Sequence, residues 1–151
     1  MRGASASRGG WRSAGAIAAG FLLTAVLSVL TDVLMHAAGI YPDWGEPVSG
    51  GLFVWATLYR VVFTVLGGYL TAALAPRRPM WHVLALGALG TVVAIAGAVA
   101  TWNAGPAFGP KWYPVLLVLT ALPCVWAGGI LRLRRPGVLE RAAQPGAAAA
   151  R

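Results

Sequence analysis

The chain has 151 residues, 58% of them hydrophobic and 11% charged, with a mean hydropathy of +0.71, which excludes an ordinary soluble domain with its charged surface and fits a protein of the lipid bilayer. The net charge of +8 does not point to nucleic acid, because the basic residues flank apolar runs instead of gathering on a polar, aromatic-interleaved face. A single cysteine, Cys124, lies inside an apolar run, so a disulfide framework or a cysteine metal cluster within one chain is excluded.

The opening "MRGASASRGGWR" is small, basic and Gly/Ser-rich, and residues 1–14 read as a mobile cytoplasmic tail. Residues 15–38 form the first apolar run. Its basic start resembles a signal peptide, but it is longer than the usual hydrophobic region and lacks a clear small-x-small cleavage site, so it reads as an uncleaved helix. Further runs cover residues 50–75, 80–101 and 112–131, each near the roughly 20 residues that a helix needs to cross about 30 Å of hydrocarbon. Residues 15–131 are therefore expected to be an all-α, polytopic four-transmembrane-helix bundle. Residues 132–151, ending in the low-complexity "AAQPGAAAAR", read as a disordered basic tail.

The flanks give an orientation. Arg2, Arg8 and Arg12 precede the first run, Arg77 and Arg78 occupy the "APRRPM" turn, and Arg132, Arg134, Arg135, Arg141 and Arg151 follow the fourth. An even number of crossings puts these ten on one side, the cytoplasm by the positive-inside rule, and both termini with them. The opposite loops, "YPDWGEP" and "WNAGPAFGPK", carry Asp43, Glu46 and Lys111. Their prolines and glycines suit tight turns, and their aromatics suit an interfacial belt; "YPDWGEP" is also short enough to close over the end of the first helix.

Two polar ridges interrupt the apolar runs. In the first helix Thr24, Ser28, Asp32 and His36 recur every four residues and share one face; in the second, Ala56, Arg60, Thr64, Gly68 and Thr71 nearly repeat the pattern. With helices centred near Val26 and Val62, Asp32 lies about 9 Å and the Arg60 backbone about 3 Å outward of the midplane, an offset of roughly 6 Å that an arginine spans by snorkelling. Asp32 and Arg60 are thus the expected pair, since either charge alone in lipid is costly. Asp32, His36, Arg60, Ser28 and Thr64 form the candidate intramembrane polar site. His36 adds a side chain whose type titrates near neutrality one turn beyond Asp32. Tyr59 reads as a packing residue. His82 belongs at the opposite end, and Asp32 with His36 is too small a set for a metal, so neither a metal nor a cofactor is expected.

Small residues supply the expected helix contacts: Gly67 and Gly68 on the second helix, Gly87, Gly90 and Gly97 on the third, and Gly128 on the fourth, where Pro123 frees the Leu119 carbonyl. No HExxH, CxxC, GxSxG, P-loop or Rossmann signature is present. No nucleophile, base and electrophile can be assembled from residue identities, which leaves an enzyme the least supported class. The two helix pairs are not inverted repeats, because the second lacks counterparts of Asp32 and Arg60.

The segments "TDVLMHAAGIYPDWGEPVSGGLFVWATLYR", "VLGGYLTAALAPRRPMWH", "LGALG" and "GPKWYPVLLVLTALPCVWAGG" resemble those of small uncharacterised four-helix integral membrane proteins of bacteria. The resemblance covers residues 31–129, is one of overall cadence, and implies a multi-pass protein of the bacterial inner membrane without implying a mechanism. The leading expectation is a structural or accessory bundle that packs against a second copy or a larger membrane complex. The alternative is a small-solute or proton-coupled transporter that acts as an oligomer through an outward-facing Asp/His/Arg site.

Overall fold

The computed structural model describes residues 3–135, and among these residues there are four long helices and no strand. Away from water each backbone N–H and C=O must be satisfied within the chain, which leaves the helix as the form for an isolated apolar run. The helices are α1 (Gly3–Ala37), α2 (Gly50–Leu74), α3 (Pro79–Thr101) and α4 (Trp112–Leu133), with a short 3-10 turn at Pro106–Phe108. Each contains an apolar span long enough to cross a membrane, the first over Gly10–Ala37. The chain is an all-α, four-helix membrane bundle.

The boundaries follow the apolar runs closely, with one correction. Helix α1 begins at Gly3, inside the segment expected to be a tail: "GASASRGGWR" contains no proline, and its alanines and arginines support helix against its glycines. At the other end α4 continues to Leu133, while the rest of the expected tail, from residue 136, lies outside the described residues. Helix α4 passes through Pro123 without a break. Gly39 adopts φ +67° and ends α1: the Ile40 and Tyr41 amides both turn back to donate to the Met35 carbonyl at 3.0 and 3.1 Å, an arrangement that a left-handed residue makes cheap.

Helix α2 is the centre of the bundle. It packs most extensively on α4 and also on α1, α4 packs on α3, and α1 meets α3 only slightly. The glycines explain this order. A Cβ on Gly128 would stand 2.8 Å from the Tyr69 amide nitrogen, and one on Gly68 would stand 2.8 Å from the Val125 carbonyl carbon, so the α2 and α4 backbones touch there. Gly20 and Gly67 do the same for α1 and α2, each facing the other's carbonyl oxygen at 2.6 and 2.8 Å from the Cβ position. Two threonines then cross-link those helices: Thr24 is shared between its own Gly20 carbonyl and Phe63 of α2, at 3.0 and 3.2 Å, and Thr71 donates to Ala16 of α1 at 3.2 Å.

These contacts lie toward the end that carries Arg77, Arg78, Arg132, Arg134 and Arg135, called here the arginine end. The buried cluster of Ala72, Val83, Leu86 and Val125, with Ile17, Phe21 and Met80 against it, lies there too. Toward the opposite, acid end, α3 has no buried residue beyond Gly87, and the bundle opens. Gly87 meets Leu122 at ordinary van der Waals distance, whereas Gly90 and Gly97 have nothing within 4 Å of a Cβ position. Of these three glycines Gly87 is therefore the one in helix contact, while Gly90 and Gly97 make no close contact within the chain.

Candidate functional site

Asp32 is fixed by two consecutive residues of α2. The Arg60 guanidinium forms a salt bridge with one carboxylate oxygen and the Tyr59 hydroxyl donates to the other. Tyr41, returned from the loop by the Gly39 turn, places its hydroxyl 3.3 Å from that of Tyr59. The Arg60 guanidinium carbon lies 5.6 Å from the centre of the Tyr59 ring and 5.7 Å from that of Tyr113 on α4, within the range in which an aromatic face attracts a cation. One carboxylate, one guanidinium and three tyrosines from α1, the loop, α2 and α4 therefore converge at a single depth.

His36 takes a different part from the one its spacing suggests. Its Nδ1 donates to the backbone carbonyl of Asp32 at 2.8 Å, not to the carboxylate. Its ring is stacked on Trp44 with centroids 3.6 Å apart and an interplanar angle of 7°, and meets Tyr41 edge-on at 5.2 Å. The "YPDWGEP" loop is thus pinned over the end of α1 by His36.

Two cavities flank the Asp32–Arg60 pair. A cleft of about 440 Å³ opens at the acid end; Asp32, His36, Tyr41, Asp43, Trp44, Glu46, Phe53, Phe108 and Tyr113 are among its lining residues. Three of the four acidic residues of the chain are in that lining. The second cavity, about 270 Å³, lies deeper, among all four helices, and is lined mainly by apolar groups together with Thr24, Ser28, Thr64 and Thr120. Arg60 is the one residue that lines both.

The ridges of the sequence are accordingly divided. Asp32, His36 and Arg60 belong to the cleft. Ser28 and Thr64 belong to the deeper chamber, where the Thr64 hydroxyl returns to the Arg60 carbonyl at 2.7 Å. Gly90 lines that chamber too, while Gly67, Gly68 and Gly128 make helix contacts. Sequence reasoning missed Tyr59 and Tyr113, since a strict every-fourth-residue ridge excludes the position next to Arg60 and says nothing of the facing helix. It also passed over Gly20, whose partner Gly67 was recognised. Among the described residues no group of three His, Cys, Asp or Glu side chains is placed to hold a metal.

The arrangement can hold a charged or polar group beside a neutralised ion pair, with aromatic faces around it. No protein-family model matches the chain, and no curated protein and no solved structure is similar to it.

Proposed function

We propose that this chain is a multi-pass protein of the bacterial inner membrane, with the arginine end cytoplasmic, and that it admits a small solute from the outside into the acid-end cleft. The carrying observation is that Arg60 is the one residue lining both the cleft and the second cavity. A register-fixing ion pair needs no cavity on either side; a plug in a solute path has one on each. The pair closes the path when Arg60 is held by Asp32 and opens it when the guanidinium moves. Because α1 and α3 hardly touch, the path has an incomplete wall on that side, which supports action as an oligomer.

Thiol reactivity tests this reading. On a Cys124→Ala background, Leu52→Cys, a partly exposed position in the cleft, should react with a membrane-impermeant reagent in intact cells. Ala121→Cys in the chamber should react only when Arg60→Ala is also present. An unreactive Leu52→Cys would remove the outward-open cleft, and equal reactivity of Ala121→Cys with and without Arg60 would remove the plug.

The accessory-bundle reading is favoured by one feature, the second half of α3, where Gly97 meets no neighbour and Val92, Ile95 and Val99 are exposed. Small residues beside exposed apolar ones suit a helix of another subunit. Mass measurement in mild detergent separates the readings: a stable complex with a different protein supports the accessory role, and a homo-oligomer supports the path.

A further inference from the structure

We infer that the solute of the acid-end cleft is a compact organic cation, an amine with an apolar body; the inference rests on the solute-path reading above. The cleft already seats a cation of its own. Arg60 lies against a carboxylate and between two tyrosine faces, the combination that recognises ammonium and guanidinium groups. A carboxylate offers about four acceptor positions, and Asp32 uses two of them on Tyr59 and Arg60, so it can take a further donor without expelling Arg60. Its side chain is 22% exposed and lines the cleft.

Charge selects against the other classes. Asp32, Asp43 and Glu46 face Arg60 alone among the formally charged lining residues, which leaves two negative charges uncompensated when His36 is neutral. Among the described residues, Asp32–Arg60 is the ion pair that the cleft contains, so Asp43 and Glu46 are left to draw a cation inward. An anion would meet that field and would have to take Arg60 from Asp32. The walls fit the apolar body: Trp44, Phe53, Phe108 and Tyr113 line the cleft, and about 440 Å³ is within the usual range for a small-molecule site.

Isothermal titration of the full chain in non-ionic detergent, corrected against empty micelles, tests the inference with three probes of one shape: phenethylammonium, 2-phenylethanol and phenylacetate. The ammonium should bind saturably and at least about tenfold more tightly than the other two. Asp32→Asn should abolish that preference. Because that variant also strands Arg60, two changes at exposed positions accompany it. Asp43→Asn with Glu46→Gln should weaken ammonium binding about threefold and flatten its salt dependence, and Trp44→Ala should weaken it about fivefold. Binding of phenylacetate or 2-phenylethanol as tight as that of the ammonium would overturn the cation assignment. Absence of ammonium binding would also overturn it, and Leu52→Cys then separates the causes: if that thiol reacts from outside, the solute path stands and only its class is wrong; if it does not, the path falls as well.

Discussion

Replacing Asp32 and Arg60 singly and together measures what holds the acid half of the bundle. Arg60→Ala leaves the Asp32 carboxylate with the Tyr59 hydroxyl but no counter-charge, and Asp32→Ala leaves the guanidinium with only the Tyr59 and Tyr113 faces. At an effective dielectric constant of about 20, charges about 4 Å apart attract by about 4 kcal/mol. The two side chains are 25% and 22% exposed, so water screens roughly half of this, and a coupling of about 2 kcal/mol is expected. Each single replacement should cost about 3 kcal/mol, at the lower end for breaking a buried pair, and the double replacement about 4 kcal/mol. The assay is unfolding of the detergent-solubilised protein by SDS titration, followed by far-ultraviolet circular dichroism for all four members of the cycle. Single losses that add to within about 0.5 kcal/mol would refute the pairing.

Two other outcomes follow from the packing and the charge. Gly128→Leu should reduce folded yield sharply, because a Cβ there already runs into the α2 backbone at Val65 and Tyr69, whereas Gly97→Leu should leave the monomer's stability within about 0.5 kcal/mol of wild type; equal yields from both would show that the α2–α4 contact is misplaced. For topology, Asp43→Cys and Asn103→Cys on the Cys124→Ala background should label from outside intact cells and Arg78→Cys should not; labelling at position 78 would invert the orientation.

How much of this was legible depends on the range of the interaction. Hydrophobic runs and arginine flanks are local signals, so the four helices and most of their ends could be read along the chain. The Asp32–Arg60 pair was also legible, since only two formally charged residues lie deep in adjacent helices and depth follows from 1.5 Å per residue. Tyr59 was not, because the Asp32 carboxylate spans two neighbouring positions of α2, and an every-fourth-residue ridge admits only one. The fate of Gly90 and Gly97 was not legible either. A small residue permits a close contact without specifying one, and whether a neighbour arrives depends on how the other helices pack around it.

The same division explains why the ion pair sits where it does. The close contacts, with backbone against backbone at Gly20, Gly67, Gly68 and Gly128, tie all but α3 together toward the arginine end; the acid end is held by tyrosine hydroxyls, ring faces and a loop pinned through His36 and Trp44. Had the glycine contacts continued to the acid end, they would have closed the cleft and taken Asp32 and Arg60 fully out of water, at a desolvation cost of several kcal/mol per ion that their attraction need not repay. Partial exposure through the cleft lowers that cost while the neighbouring tyrosines keep both charges hydrogen-bonded or faced. An open acid end is therefore what keeps this ion pair in partial contact with water.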